Sequence, residues 1–350
     1  MRRSLTELSI EVENISLERP ANLSYGDYSS NVAMVFAKQT GQSPKGLAEK
    51  LLQKLNENKL PQVSRIETAG PGFVNFYLSK DFFLEAILKI LGEEKKWGEN
   101  KNLSKQKIII EYTQPNPFKE FHLGHLVNNI IGEAISRLIE AQGAKVKRVT
   151  YHGDVGLHVA KAIWAMEAHK LDPNKLSEWG RAYSLGERAY RDSEIKGEID
   201  EINIKIYEKS DQEINKLYEK GRGLSLRNFK EVWERLGSSF DESFFESQTG
   251  EVGKALVEKN IPKNIFEKSE QAIIFPGERY GLHTRVFVNS QGLPTYEAKD
   301  LGLLKLKEKF FNFDKSIAIT DIEQAEYYKV VMKAAELVFP ELKGKIEHLS

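Results

Sequence analysis

The sequence of 350 residues contains no cysteine, which excludes both a disulfide framework and thiolate ligands for a metal. It also lacks any apolar stretch long enough to cross a bilayer, and its first residues carry no apolar signal segment. We therefore predict a cytoplasmic protein that does not engage a membrane.

The sequence also lacks a net charge, since its 51 basic side chains are balanced by 51 acidic ones. Balanced charge gives no sign of a nucleic-acid partner but does not exclude one, because a basic patch can be local. Two common nucleotide-binding motifs are missing as well, the Walker A sequence and a Gly-x-Gly-x-x-Gly helix start. Kinase-like and dinucleotide-binding functions are therefore disfavoured.

What is present indicates two domains joined by a charged stretch over residues 93–102. Before it come a helix with apolar spacing, a turn at Gly70–Gly72, an alternating strand at Phe73–Leu78 and a helix from Asp81. These elements predict a small α+β domain over residues 1–98.

After the linker the pattern is strand, helix, strand. Lys107–Tyr112 is a short apolar run, a helix from about His122 ends at Gly143, and Lys145–Tyr151 is a second strand. Parallel strands joined by a helix predict a doubly wound, Rossmann-like α/β domain over residues 103–350, with its ligand at the carboxyl ends of the strands. The helix places these apolar residues on one face: Leu126, Ile130, Ile131, Ala134, Ile135, Leu138 and Ile139.

From about residue 172 to 263 the chain is charged and reads as a helical insertion. The sheet is predicted to resume at Arg285–Asn289. A helix from Thr295, a strand at Ser316–Thr320, a helix at Gln324–Val338 and a final strand at Lys345–Ser350 follow. That last strand stops without a terminating signal, so we expect a sequence cut before its natural end.

The segment from Glu111 to His125 lies between the first strand and its helix, where this fold binds ligands. Its helix begins His-Leu-Gly-His. A helix N-terminus attracts phosphate, Gly124 lets a flat base approach, and His122 and His125 share a face from which they could donate to a phosphoryl group. Lys119 adds a mobile positive charge just before the helix.

Simpler interpretations of the two histidines are half of a zinc site or solvated residues at a helix start. With no cysteine and no obvious third ligand, we predict no metal site formed by the protein alone.

Pro-Asn-x-x-Lys-x-x-His-x-Gly-His after a strand ending in Glu resembles class I aminoacyl-tRNA synthetases, and this version is similar to the arginyl-tRNA synthetase family. The resemblance covers nearly the whole chain. Its further segments are Gly26–Met34, Ala69–Phe76, His152–Gly156, Thr295–Asp300 and Asp321–Gln324. It implies that L-arginine and ATP, with Mg²⁺, give arginyl-adenylate and that the arginyl group then passes to tRNA(Arg).

The resemblance also implies roles for residues of this sequence. Lys119, His122, Gly124 and His125 match the family's ATP-binding and catalytic positions. Glu111 and Asp300 match its guanidinium-binding acids, which suits a planar cation that pairs best with carboxylates. Tyr296, on the helix face of Asp300, matches a position that lines the arginine stem, and Asn116 and Gln324 match those that hold the amino and carbonyl ends.

In the first domain the resemblance implies that Phe73 and Asn75 read an unstacked base of the tRNA D-loop. The alternative is that Phe73 belongs to the core. Each site residue, taken singly, could equally be an ordinary surface or core residue.

The sequence departs from the family in three respects. It has no Lys-Met-Ser-Lys-Ser loop, whose role the resemblance assigns to Lys119, and no anticodon-binding domain follows. Val155 and His158 stand where the family more often has Trp and Gln. We therefore expect a chain that binds arginine and ATP weakly and charges tRNA poorly or not at all. Separately, we expect it to be a monomer. The alternatives are a related class I synthetase or nucleotidyltransferase, and a non-catalytic tRNA-binding protein derived from a synthetase.

Overall fold

The computed structural model describes residues 1–12, 14–58 and 60–350. The chain divides into two compact units, Met1–Gly98 and Glu99–Ser350. Within the described ranges, no helix combines the length and the hydropathy needed to cross a membrane.

The first unit is a three-stranded antiparallel sheet with helices, in which β3 (Phe73–Leu78) lies between β1 (Tyr28–Ser30) and β2 (Val63–Ala69). A buried core of leucines from α3 (Pro44–Glu57), including Leu47 and Leu51, packs against Val74 and Phe76 of β3. The strand predicted at Phe73–Leu78 is confirmed. The elements are α1 (Arg2–Glu7), β1 (Tyr28–Ser30), α2 (Val32–Thr40), α3 (Pro44–Glu57), β2 (Val63–Ala69), β3 (Phe73–Leu78) and α4 (Lys80–Glu93).

The second unit contains a parallel sheet, a smaller antiparallel sheet and eight helices among its described residues. Its first elements are β4 (Lys107–Glu111), α5 (Leu123–Ala141), β5 (Lys145–His152), α6 (Leu157–Ala168), α7 (Leu176–Ala189), α8 (Ser193–Glu208), α9 (Gln212–Leu236), β6 (Glu242–Phe245) and α10 (Glu246–Asn260). The remainder are β7 (Glu267–Ser269), β8 (Ala272–Phe275), β9 (Arg285–Val288), α11 (Tyr296–Phe310), β10 (Lys315–Ile319), α12 (Ala325–Val338) and β11 (Ile346–Leu349).

The parallel sheet has the order β11-β10-β4-β5-β6, and every neighbouring pair is parallel. The chain fills the sheet outward from β4 in one direction and then, after β6, outward from β10 in the other. The strand order therefore reverses between β4 and β10, where a doubly wound sheet opens a ligand-binding crevice. The predicted doubly wound α/β fold is confirmed.

Two details of the predicted sheet are wrong. The strand at Arg285–Val288 pairs with β8 in a separate antiparallel sheet, so the parallel sheet does not resume there. It resumes at β6, inside the segment of residues 172–263 assigned to a helical insertion, and the insertion helices end at Leu236. The sequence Glu-Ser-Phe-Phe of β6 is short and half polar, whereas Arg-Val-Phe-Val of β9 has the composition of a buried strand.

Helix α5 is confirmed, but only part of its predicted apolar face packs on the sheet, where Ile135 and Ile139 lie against the core of β4, β5 and β10. Asn129, Gly132 and Ser136 are its buried residues, while Ile130 and Leu138 are 57% and 65% exposed. The reason is the ring of Tyr112, which occupies the space that a side chain at position 132 would need. A glycine there lets the helix backbone approach the ring of Tyr112 closely, so small and polar residues form the most buried part of the contact.

Candidate active site

The loop after β4 has an unusual backbone. Three residues other than glycine, Thr113, Gln114 and Phe118, adopt positive φ angles of 71°, 46° and 65°. Each such residue costs about 1–2 kcal/mol. Strain of this kind persists where the surrounding structure imposes it, and it clusters at functional sites.

Side chains of neighbouring helices hold this loop in place. The amide of Thr113 donates to Asn128 Oδ1 at 2.5 Å, and Asn129 Nδ2 donates to the Thr113 hydroxyl at 2.8 Å. The amide of Phe118 donates to Ser225 Oγ at 2.9 Å, and its buried ring packs against Trp179. Helices α5, α7 and α9 therefore fix the loop before any ligand binds.

The loop ends in a capping box made by two histidines at the start of α5. The Nδ1 atom of His122 accepts a hydrogen bond from the amide of Gly124 at 3.2 Å, and Nδ1 of His125 accepts from the amide of His122 at 3.3 Å. Their rings stack with centroids 3.8 Å apart. Since a backbone N–H can only donate, both Nδ1 atoms are unprotonated, and each neutral ring carries its proton on Nε2.

Both histidines are held neutral. Burial, with smaller effects of the neighbouring His122 and Lys119, lowers the pKa of His125 to about 3, and burial and Lys119 lower the pKa of His122. The ammonium of Lys119 itself lies 5.6 Å from the centre of the Tyr183 ring. The helix start thus presents two neutral Nε2–H donors beside a lysine, a set suited to phosphate oxygens.

Glu111 and Asp300 come together in the crevice from different elements. Glu111 is the last residue of β4, Asp300 lies on α11, and both line a cavity of about 20 Å³ next to Ser316 and Tyr328. The volume corresponds to about one water molecule, so a larger group enters only if the lining side chains shift. The resemblance implies that both acids share one pocket, and in the structure both line one cavity.

The two carboxyl groups have different partners. Glu111, 1% exposed, accepts at Oε1 from Gln114 Nε2 at 2.5 Å, and its Oε2 pairs with the ammonium of Lys307. Asp300 accepts at Oδ2 from the hydroxyl of Tyr327 at 2.6 Å. Burial and the neighbouring Glu111 charge raise the pKa of Asp300 to about 8, although the Tyr327 hydrogen bond opposes the change.

Asn116 belongs to a second group of contacts around Gly153. Its Oδ1 accepts from the amide of Gly153 at 3.1 Å, and His158 Nε2 donates to the Gly153 carbonyl at 2.8 Å. Close by, the buried carboxylate of Glu246 pairs with Lys299 Nζ at 2.6 Å. His158 therefore makes a backbone contact at a position where the resemblance leads one to expect an amide side chain.

Other predicted site residues lie apart from the acidic cavity. Tyr296, the first residue of α11, is 58% exposed and does not line that cavity, and Gln324 is exposed just before α12. In the first unit, Phe73 is 37% exposed. Asn75 is buried and accepts a hydrogen bond of 2.6 Å from the hydroxyl of Ser29.

Sequence reasoning missed the side chains that support the two acids, namely Gln114, Lys307 and Tyr327. One signal was available, because Lys307 follows Asp300 by two helical turns and therefore shares its face of α11. No group of three or more metal-binding side chains exists among the residues the structure describes.

Two protein-family models match the sequence of this chain. "tRNA synthetases class I (R), catalytic domain" matches residues 86–350, and "Arginyl tRNA synthetase N terminal domain" matches residues 1–78. The doubly wound domain described above thus belongs to the class I tRNA synthetase catalytic domains. The chain belongs to the arginyl-tRNA synthetase family.

Individual relatives agree with this assignment. The chain is 28% identical over 339 residues to an arginine–tRNA ligase of Clostridium acetobutylicum, covering 95% of this chain and 59% of that protein. It is 29% identical over 355 residues to that of Clostridium perfringens, covering 98% and 61%. The chain thus spans about three fifths of the length of the curated relatives it matches.

Two solved structures share the fold. The arginyl-tRNA synthetase of Plasmodium falciparum superposes with a TM-score of 0.71 at 20% identity, covering 99% of this chain and 63% of that one. The arginyl-tRNA synthetase of Thermus thermophilus gives a TM-score of 0.68 at 22% identity, with the same coverage of both chains.

Proposed function

We propose that this chain forms arginyl-adenylate from L-arginine and ATP and carries out part of the charging of tRNA(Arg). The observation that carries the proposal is the meeting of Glu111 and Asp300 around one buried cavity at the switch point of the sheet. Two carboxyl groups buried in one crevice call for a cationic ligand. A guanidinium, planar and able to form paired hydrogen bonds, matches carboxylates better than an ammonium does.

The capped start of α5 would bind ATP in the proposed reaction. In the proposed step the carboxylate of arginine attacks the α-phosphorus of ATP, and the bond to pyrophosphate breaks. The Nε2–H groups of His122 and His125 donate to the phosphate oxygens as charge builds up, and the ammonium of Lys119 offsets the charge of the leaving group. Gly124 leaves room for the base, and Mg²⁺ arrives bound to the phosphates rather than in a protein cage.

The remaining predicted residues complete the substrate site in this proposal. Asn116 and Gln324 hold the amino and carbonyl ends of arginine, and Tyr296 lines its stem. Because Tyr296 and Gln324 are exposed, they would close over the substrate rather than form a rigid wall. In the transfer step a terminal hydroxyl of tRNA attacks the carbonyl carbon, and AMP leaves.

We also propose a division of labour between the two parts of the chain. Residues 1–98 would bind tRNA through Phe73 and Asn75, and residues 103–350 would carry the chemistry. Partial exposure of Phe73 supports stacking on a base. Asn75, whose Oδ1 is already engaged by Ser29, would offer its amide N–H groups.

The test is exchange of labelled pyrophosphate into ATP by the 350-residue chain, with magnesium, tRNA(Arg) and one amino acid at a time. Arginine should support exchange, while citrulline, glutamine and lysine should not. Exchange with an uncharged amino acid would instead indicate another class I synthetase. No exchange with any amino acid, despite tRNA binding, would contradict the catalytic proposal and leave a non-catalytic tRNA-binding protein.

A further inference from the structure

His152 is a buried histidine to which the proposed function gives no role. It is the last residue of β5 and is 0% exposed. Its ring lies among three aromatic rings, with centroids 5.2 Å from Phe245, 5.9 Å from Phe229 and 6.1 Å from Trp233. A phenylalanine would fill this space without placing two nitrogens in an apolar cluster, where polar atoms are costly. Packing alone therefore does not account for a histidine at this position.

One of the two ring nitrogens forms a hydrogen bond to the candidate site. Nδ1 of His152 lies 2.7 Å from the carbonyl oxygen of Pro115, in the loop after β4. Because a carbonyl oxygen can only accept, Nδ1 carries the proton and is the donor. Nε2 is buried and pairs with no protein group in the described part of the chain. Burial lowers the pKa of His152 to about 4, so the ring is neutral and its donor is fixed near pH 7.

The next residue along the chain makes a second bond to the same loop. The backbone amide of Gly153 donates to Asn116 Oδ1 at 3.1 Å, and the Gly153 carbonyl accepts from His158. Since a backbone N–H can only donate, the atom of the Asn116 amide that faces it is the oxygen. Two consecutive residues at the end of β5 thus hold two consecutive residues of the loop: His152 holds the main chain of Pro115, and Gly153 holds the side chain of Asn116.

The position of Asn116 matters because the proposed function assigns to it the amino end of arginine. An ammonium group has donors only, so it must meet the oxygen of the Asn116 amide and not the nitrogen. That oxygen has a second lone pair besides the one that Gly153 uses. A shift of Pro115 would move the backbone of Asn116 and carry this oxygen away from the substrate.

We propose that His152 is a positioning residue for the amino end of the substrate. By holding the carbonyl of Pro115, it keeps Asn116 where Oδ1 can accept from the ammonium group of an amino acid. His152 does not touch the reacting atoms; it acts through Asn116. This inference rests on the proposed function and deepens it.

The test compares arginine with 5-guanidinopentanoate, which is arginine without its α-amino group. Calorimetry in the presence of a non-hydrolysable ATP analogue and magnesium gives the affinity for each ligand, and their ratio is the amino-group preference. His152→Phe keeps an aromatic ring but loses the donor, whereas the amide of His152→Asn can donate in place of Nδ1–H. Trp233→Phe alters the same aromatic cluster but leaves the bond to Pro115, so it is the matched control.

Wild type should prefer arginine by about tenfold or more, the effect of a hydrogen bond to a charged group, and His152→Phe should reduce this preference to about threefold or less. The loss should lie in arginine binding, while the affinities of His152→Phe for 5-guanidinopentanoate and for the ATP analogue stay at those of wild type. His152→Asn should retain most of the preference, although the loss of ring stacking lowers its melting temperature. Trp233→Phe should retain the preference in full.

Asn116→Ala gives a second measurement, which tests whether His152 acts through Asn116. This variant removes the acceptor itself and should abolish the amino-group preference. Adding His152→Phe to it should change the preference no further, because two substitutions that act through one contact are not additive.

Three results would overturn the inference. The first is a His152→Phe variant with the preference of wild type. The second is an equal loss in Trp233→Phe, since the effect would then be one of packing, and the third is a further loss when His152→Phe is added to Asn116→Ala. If His152→Phe fails to fold, His152→Asn is compared with His152→Leu, a side chain of similar size without the donor, and equal preferences would overturn the inference.

Failure of the proposed function would look different. Wild type that binds arginine no more tightly than 5-guanidinopentanoate would contradict the role proposed for Asn116, and the inference with it. A wild type that binds neither ligand would contradict the proposed substrate.

Discussion

The hydroxyl of Tyr327 donates a hydrogen bond of 2.6 Å to Oδ2 of Asp300, and it links α12 to α11 at the acidic cavity. This bond favours the ionised carboxyl group and so lowers the pKa of Asp300, against the larger effect of burial, which raises it. Tyr327 therefore helps to set the fraction of chains in which Asp300 is ionised.

Tyr327→Phe should weaken arginine binding at neutral pH and move its pH dependence upward. Without the hydroxyl donor, the pKa of Asp300 rises above its value of about 8, and a smaller fraction is ionised at pH 7. We expect about a threefold to tenfold loss of affinity at pH 7 that shrinks above pH 9. Calorimetric titration across this range checks it. A loss of equal size at every pH would mean that Tyr327 acts on packing instead.

Asp300→Asn should stabilise the chain more strongly as pH rises. The pKa of this carboxyl group lies near 8 in the folded chain, above its ordinary value of 3.8. The folded state therefore binds more protons than the unfolded state between these values, and this contribution to stability, complete below pH 4, is lost as pH rises through 8. Asparagine does not ionise, so the Asp300→Asn variant does not lose this stability as pH rises.

The melting temperature of Asp300→Asn minus that of wild type should accordingly increase from pH 5 to pH 8. Gln212→Asn, a substitution at an exposed position of α9 that removes no ionisable group, is the control and should give a difference that does not change with pH. A flat difference for Asp300→Asn would show that the carboxyl group ionises normally in the folded chain.

His122 has two separable roles, as cap of α5 and as donor to phosphate. Asparagine is also a good N-cap residue, so His122→Asn should keep the stability of wild type, whereas His122→Ala should lose about 1 kcal/mol. Both lack the Nε2–H donor and should slow arginine-dependent pyrophosphate exchange by about 100-fold or more. Chemical denaturation and exchange rates measure the two effects. Full activity of His122→Asn would remove His122 from the proposed chemistry.

Gly132 permits the close approach of α5 to the sheet, and its replacement tests the packing that orients this helix. In Gly132→Ala the new methyl group would overlap the ring of Tyr112, and we expect a loss of about 1–3 kcal/mol of unfolding free energy. Gly197→Ala on α8 is the control. Nothing lies near its added methyl group, and the gain in helix propensity should stabilise by about 0.5–1 kcal/mol. Equal effects of the two substitutions would contradict the packing described for α5.

The sequence predicted some secondary-structure elements well and the packing between elements poorly. The strands β4, β5 and β10 and the helix after Thr295 are short, well-punctuated patterns, and each lies where it was predicted. Strand β6 was missed because four residues of mixed polarity give too little periodicity. The burial of Asn129, Gly132 and Ser136 on α5 was missed because it depends on a contact with Tyr112, which lies outside the helix, and no periodicity within the helix reports it.

In the candidate site, too, the identity of the residues could be predicted but their contacts could not. Glu111, Asp300 and the histidine pair were candidates because their positions match motifs of a known family. Their charge states could not, because they depend on partners such as Lys307 and Tyr327 that only folding brings near. The difference between two carboxyl groups of the same pocket is a property of three-dimensional contacts.

The central claim, recognition of a cationic substrate by Asp300, is tested most directly by titrating the chain with arginine and with citrulline. Citrulline has nearly the same shape but no charge. With a non-hydrolysable ATP analogue and magnesium present at pH 8.5, wild type should bind arginine at least about tenfold more tightly than citrulline, because a buried carboxylate left unpaired is costly. Asp300→Asn should abolish the difference. Equal affinities of the two ligands for wild type, or a preference that survives in Asp300→Asn, would contradict the account.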